Sequence, residues 1–327
     1  MYLFELVGED DTFASYEIAA VTGEADVLAP GLALTEIAPP LVAALGYTRC
    51  VSTYEGVCLP TPADAATAAE ELSFDRPGTA AVRAQAIRGS QVDTQAVERS
   101  VGAVLADNGF TINLDAPDHT LRVIFSGNSG YLGWEYCRPD RTFSKRQPAD
   151  RPFFQPGSMA SRLARALVLI AGGKPDNRFL DPMCGTGGTA IEAGMLDMTV
   201  FASDVQRKMV TGTQTNFREF VPSGTIHPIL GSAATLPFAT QSIDTIVFDA
   251  PYGRQSPIRG STASKLVEQT LLEAIRLSPR AAIVTDRPVD SIVTDTGWSI
   301  RARFVKRVHR SLDRYIYDLD SAEVTGK

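Results

Sequence analysis

Three short segments place carboxylates, glycines and an aromatic ring where they can do chemistry. The most specific is Asp249-Ala250-Pro251-Tyr252, continued by Gly253-Arg254 and preceded by the apolar run Thr245-Ile246-Val247-Phe248. A side-chain carboxylate and the next backbone carbonyl can accept both hydrogens of an exocyclic amine. On a nucleobase, the lone pair of such an amine is delocalised into the ring and must be localised and aimed before it attacks. Positioning and electrostatic stabilisation of this kind are large catalytic effects. Pro251 stiffens the turn, and Tyr252 offers a ring for stacking on a base taken out of its helix. An ordinary Pro-Tyr-Gly turn would show the same letters. Two companion segments, also at strand ends, weigh against that reading.

The first companion is Phe179-Leu180-Asp181-Pro182-Met183-Cys184-Gly185-Thr186-Gly187-Gly188. An apolar run ends at Asp181, and the glycines of the turn let a ligand approach the backbone without Cβ interference. The spacing is not G-x-G-x-x-G, so a dinucleotide site, and with it a dehydrogenase, fits poorly. The second is Ser203-Asp204-Val205-Gln206. Asp204 follows Gly185 by 19 residues. A carboxylate about 20 residues past a glycine turn can accept both ribose hydroxyls of a nucleoside, although it can also cap a helix. A nucleoside carrying an electrophilic sulfonium methyl, held against a base amine, satisfies all three segments.

These residues need a scaffold that brings strand ends together. From residue 158 onward, apolar strands alternate with helices: RFLDP, a helix through AIEAGML, TVFASD, a helix from Gln206, TIHPILG, DTIVFDAP, a helix from about Ser261 to Leu277, and RAAIVTD. Such alternation predicts a parallel sheet covered on both faces. WSIRARFVKRVHRSL and RYIYDLD read as an antiparallel edge hairpin. The helix SMASRLARALVLIAGG takes Ser158 as its predicted N-cap and Gly172-Gly173 as its stop. Upstream, PADAATAAEEL reads as a helix, 79–89 as a strand, 91–110 as a helix and 119–136 as a hairpin in which Trp134 and Tyr136 pack. Pro139, Pro148, Pro152 and Pro156 mark a linker. The expected boundaries are 1–72, 73–137, a linker 138–157, and 158–327.

Composition sets the outer limits. The chain has 327 residues, 44% hydrophobic, enough for two or three domains. No apolar run approaches the roughly 20 residues of a membrane span, and MYLFELVGEDD lacks the basic start of a signal peptide. Four separated cysteines without a C-x-x-C pair argue against a zinc site or a disulfide framework, so a reducing cytoplasm is expected. The net charge of −7 is uneven: residues 1–75 hold thirteen acids and one base, Arg49, while 151–327 hold twenty-one bases and seventeen acids. A phosphate-contacting surface is therefore compatible with the later part of the chain.

Taken together, RPFFQPGSMASRLARALV, DPMCGTGG, ASDVQRKMVTGT, DAPYGR and VHRSLDRYIY resemble the archaeal tRNA (guanine-10-N2)-dimethyltransferase family, and AAVRAQAIRG with SGNSGYLGWE resembles its THUMP domain. The resemblance implies a Rossmann-like class I methyltransferase sheet with an antiparallel C-terminal hairpin, preceded by an α+β ferredoxin-like and THUMP region that binds RNA. It implies S-adenosyl-L-methionine as cofactor and tRNA as partner, with neither metal nor membrane; a monomer is the working expectation. Asp181, Cys184, Gly185, Thr186 and Gly187 would contact the methionine part of the cofactor. Asp204 and Val205 would hold its ribose and adenine, Ser232 and Ala233 would flank the adenine, and Asp249 to Tyr252 would hold the target amine. Three positions depart from the family pattern: Ala250 replaces a second proline, Ser232 an acid, and Gln155 a frequent histidine.

Candidate phosphate contacts are Arg83, Arg88, Arg141, Lys145, Arg146, Arg303, Arg307 and Arg310. His309 lacks a catalytic partner nearby in sequence, and no base accompanies Cys184, so both read as structural. The leading reading is guanine-N2 methylation of tRNA, with a decayed RNA-binding paralogue, or an amino-methyltransferase for another base or a protein amide, as alternatives. The departures at Ala250 and Ser232 favour decay.

Overall fold

The computed structural model describes residues 1–8, 10–37, 40–251, 261–310 and 312–321, without the side chains of Ser261, Thr262 and His309. Contacts divide the chain into two compact units, residues 1–140 and 141–327.

Among the described residues the first unit is one sheet with three α-helices. Its elements are β1 (Tyr2–Leu6), α1 (Asp11–Thr22), β2 (Asp26–Ala29), β3 (Leu32–Thr35), β4 (Thr48–Thr53), β5 (Gly56–Cys58), α2 (Pro62–Glu70), β6 (Thr79–Ile87), α3 (Thr94–Asp107), β7 (Thr111–Ile112), β8 (His119–Ser126) and β9 (Ser129–Cys137). The strands run β2-β3-β1-β4-β9-β8-β6-β7, and β5 also pairs with β9. β8 and β9 turn at Gly127-Asn128, where Gly127 has φ +58°. The boundary expected at 72/73 lies within this continuous sheet, because β4 and β5 both pair with β9. Val97, Val101 and Leu105 of α3 pack with Val82, Leu121, Val123 and Trp134, as the helical spacing predicts. Trp134 is buried, but Tyr136 is 51% exposed and touches only the edge of Tyr2 among described aromatic rings.

The second unit contains α4 (Ser161–Ile170), β10 (Arg178–Asp181), α5 (Gly188–Gly194), β11 (Thr199–Asp204), α6 (Arg207–Phe220), β12 (Ile226–Leu230), β13 (Thr245–Asp249), α7 (Ser261–Leu277), β14 (Arg280–Thr285), α8 (Asp290–Asp295), β15 (Trp298–His309) and β16 (Leu312–Ser321). Its sheet order is β12-β11-β10-β13-β14-β16-β15. β10 to β14 pair in parallel, while β16 pairs antiparallel with both β14 and β15. The strands are buried because helices cover both faces: Val267 and Leu271 of α7 pack on Ile246, Phe248 and Ile283. Trp298 fills the same core and donates its indole N–H to Leu271 O at 3.0 Å.

α4 begins two residues later than the sequence suggests. Ala160, not Ser158, occupies the N-cap, without a side-chain cap. The Ser158 hydroxyl instead donates to Gln155 O at 2.7 Å and accepts from Thr186 Oγ1 at 2.9 Å. Competing local and long-range hydrogen bonds take it away from the helix end.

Candidate active site

β10, β11 and β13 are neighbours in the second unit's sheet, and their carboxyl ends carry Asp181, Asp204 and Asp249. Chain direction across the sheet reverses around β10, which opens a crevice beyond these ends. A cleft of about 720 Å³ lies there, lined by all three aspartates. That volume falls among ordinary ligand pockets, roughly 300–1,000 Å³. Cys184, Gly185, Thr186, Val205, Ser232, Ala233, Ala250 and Pro251 line it too. The site residues expected from sequence thus converge, with two exceptions. Gly187 is not in the lining, where Gly188 takes its place. Tyr252, with Gly253 and Arg254, lies outside the described residues, as does the His309 side chain.

Asp181 is almost wholly buried, 3% exposed. Its Oδ2 accepts from the Thr189 hydroxyl and its Oδ1 from Met183 N at 3.0 Å. Burial pushes this carboxyl up to about 7; Asp204 and Asp249 add to the rise, and the two hydrogen bonds oppose it. Asp204 accepts from Gly185 N at 3.2 Å and Gln206 N at 2.9 Å. One carboxylate therefore joins the glycine turn to the start of α6, which Gln206 caps. Burial raises its pKa, against those backbone donors. Val205 beside it is 67% exposed and forms an apolar wall. Burial, with Asp181 nearby, raises the Cys184 thiol well above its usual range, so this cysteine is no nucleophile. Its sulfur accepts from Thr213 Oγ1 at 3.4 Å.

Gly187 is in the left-handed conformation, φ +78°, and a Cβ there would meet Thr213 Cγ2 at 2.8 Å. Its part is to shape the turn. Several supports were not legible from sequence. Asn216 of α6 accepts from Phe153 N at 2.8 Å and donates to Phe153 O and Thr186 O. Arg151 is buried and holds Arg146 O, Thr186 Oγ1, Met159 O and Ser161 Oγ at 3.2–3.4 Å. These side chains tie the glycine turn to segment 155–159, which forms one wall of the cleft. Lys208, also in the lining, has its Nζ 5.6 Å from the Phe153 ring centre. At Ser232, the hydroxyl oxygen accepts from Ala234 N at 3.2 Å, so the position of the missing acid keeps an oxygen acceptor.

The candidate phosphate contacts divide sharply. Arg146 is only 2% exposed and pairs with Glu192 at 2.6 Å, so it cannot reach a phosphate. Arg165 pairs with the same carboxylate at 3.0 Å, which makes a buried Arg–Glu–Arg triad. The proline-rich stretch that reads as linker is in this part an element of the second unit. Arg83 donates to Val82 O and Leu114 O, and Arg88 to Gly8 O and Asp11. Arg141, Lys145, Arg303, Arg307 and Arg310 are exposed. Arg303 pairs with Asp290 and Arg307 with Asp313, surface pairs that open at little cost.

The strand order, the antiparallel last hairpin and the cleft at the parallel strand ends define a class I S-adenosylmethionine-dependent methyltransferase. The family of RMKL-like methyltransferase domains matches residues 148–316. The tRNA (guanine(10)-N2)-dimethyltransferase of Methanothermobacter thermautotrophicus is 34% identical over 83% of this chain and 82% of its own. That of Pyrococcus abyssi is 26% identical over 75% and 74%. The chain belongs to this tRNA (guanine(10)-N2)-dimethyltransferase family. The crystal structure of TrmN from Thermus thermophilus has the same fold, with a TM-score of 0.52, 23% identity, and 98% of this chain and 99% of that one covered. Among the described residues no helix is long and apolar enough to cross a membrane.

Proposed function

We propose that this protein methylates the exocyclic N2 of a guanosine in tRNA, guanosine 10, and that Asp249 and Ala250 hold the reacting amine. One observation carries the reading: the Asp249 carboxylate lies in the same cleft as the glycine turn and Asp204. The residues present suit S-adenosylmethionine, which supplies a methyl group on a sulfonium. Asp204 would accept the ribose hydroxyls, and Val205 and Ala233 would flank the adenine. Ser232 would accept from the adenine amine, and the turn 184–188 would face the methionine part. The Ala250 N–H is bonded to Val284 O at 2.9 Å, which fixes the Asp249–Ala250 peptide at the strand end. With Asp249 and the Ala250 carbonyl accepting the two N–H hydrogens, the amine lone pair is localised and held for the methyl group that the bound cofactor would supply, and Asp249 or solvent takes the amine proton. Positioning and charge are the contribution of the protein.

The THUMP and ferredoxin-like assignments, 73–137 and 1–72, belong to this proposal, as the part that grips tRNA. So do the separate 158–327 catalytic domain, a cytoplasmic location and action as a monomer. Arg141, Lys145, Arg303, Arg307 and Arg310 contact phosphates. The test is transfer of labelled methyl groups to an unmodified tRNA transcript, followed by nucleoside mass spectrometry and mapping of the modified position. Asp249→Ala abolishes transfer while tRNA affinity stays within about twofold. Undiminished turnover in that variant, or a methyl group on another atom, defeats the assignment. A decayed RNA-binding protein would bind no S-adenosylmethionine at millimolar concentration in calorimetry.

A further inference from the structure

The geometry points to Arg314 as a positioning residue that keeps Asp249 ionised and aimed at the amine, and that couples Asp249 to the wall formed by residues 155–159. The inference rests on the Asp249 reading above.

Arg314 sits on β16, opposite Lys306 of β15 and one residue before Tyr315, which pairs with Thr285 at the end of β14. Asp249 pairs with Val284 of that same strand. The antiparallel insertion of β16 therefore brings an arginine from near the chain's end alongside the tip of β13. Its side chain is 7% exposed, and a terminal nitrogen lies 3.6 Å from Asp249 Oδ2. The same nitrogen donates to Gly157 O at 3.0 Å. Gly157 belongs to a tight turn in which Ser158 N and Oγ both bond to Gln155 O. Gln155, Pro156, Gly157, Ser158 and Met159 all line the cleft. One buried guanidinium thus contacts both the amine-holding carboxylate and segment 155–159 of the cleft wall.

The charges facing Asp249 explain why such a cation is needed. Asp181 from β10 and Asp204 from β11 share the cleft, and Lys208 from α6 also lines it. Three carboxylates in one partly buried space disfavour ionisation of each. Only the ionised form of Asp249 has both oxygens as acceptors; a protonated one presents a donor to the amine. A buried cation within 4 Å favours the carboxylate form, and an opposite charge at that range shifts a pKa by about 1–3 pH units.

The experiment measures single-turnover methyl transfer from pH 5.5 to 9 for wild type, Arg314→Gln and Arg314→Lys, with S-adenosylmethionine affinity by calorimetry. In Arg314→Gln, the acid limb moves up by about one pH unit or more. Cofactor affinity stays within about threefold, because Arg314 acts on the amine side of the cleft. Arg314→Lys restores most of the limb. A pH-independent loss in Arg314→Gln, no loss, or a lysine variant no better than glutamine overturns the inference. Should Arg314→Gln fail to fold by circular dichroism, an unmoved limb in Arg314→Lys overturns it and an intermediate limb supports it. Asp249→Ala separates the two levels. Full turnover in that variant removes the Asp249 reading itself, whereas a dead Asp249→Ala beside an unmoved limb in Arg314→Gln removes only the role of Arg314.

Discussion

Gly187→Ala tests the logic that links the glycine turn to the cleft. Gly187 has φ +78° and ψ 27°. An L-residue held there costs about 1–2 kcal/mol. The new methyl would also meet Thr213 Cγ2 at 2.8 Å, and Thr213 is fully buried on α6. Thr213 cannot withdraw freely, because its hydroxyl donates to Gly185 O at 3.0 Å. Losing that bond costs about 1 kcal/mol. The combined penalty is about 2–3 kcal/mol. It is divided between folding, if the turn is held, and cofactor affinity, if the turn shifts. Denaturant unfolding with and without S-adenosylmethionine, together with calorimetric affinity, captures both shares. Thr213→Ser removes the nearest carbon and keeps the hydroxyl. In that background the Gly187→Ala penalty falls toward about 1–2 kcal/mol, the conformational part, with Oγ1 and Cβ of residue 213 still close at 3.1 and 3.2 Å. Less than about 0.5 kcal/mol in both readouts, or no relief from Thr213→Ser, would refute the account.

Further outcomes follow from other sites. Asp181 is raised to about 7, above its unfolded value, so it supports folding at low pH and that support is lost as pH rises through about 7. Relative to Asp181→Asn, wild type loses up to about 4 kcal/mol between pH 4 and 8, as paired urea titrations would show. A curve parallel to that of the variant contradicts the burial effect. S-adenosylmethionine, a cation at its sulfur, favours ionised Asp181 and binds tighter above pH 7 than below; calorimetry in two buffers should detect proton release. Glu192→Gln leaves Arg146 and Arg165 without their shared anion. It costs about 3–5 kcal/mol, a fall in Tm on the order of 10 °C. A shift under about 2 °C would mean the triad is not a supporting charge network. Arg141→Ala with Lys145→Ala weakens tRNA binding and flattens its salt dependence by about two counterions, while Arg146→Gln lowers Tm and leaves that slope unchanged. Equal slopes in both variants would remove the surface cations from the interface.

Much of the chemistry is local in sequence and therefore legible there. An apolar strand, a glycine turn and a helix announce a ligand-binding connection, and Asp181, Asp204 and Asp249 each stand at a strand end. Parallel pairing brings such ends to one side, because every helical crossover returns the chain in the same direction. Helix and strand periods likewise announced α3, α7 and the β15–β16 hairpin.

Only the tertiary structure decided which charges are free to act. Arg146 reads in sequence like Lys145 beside it, yet one is buried against Glu192, 46 residues away, and the other is exposed. Ser158 resembles a helix cap until Thr186, 28 residues on, is seen to engage it. Arg314 lies in a strand whose sequence reads as a plain edge element, and insertion of that strand beside β14 sets its guanidinium against Asp249. The division has a physical cause. Periodicity and turn chemistry act over a few neighbouring residues, while burial and charge pairing depend on which distant strand or helix the completed sheet places alongside.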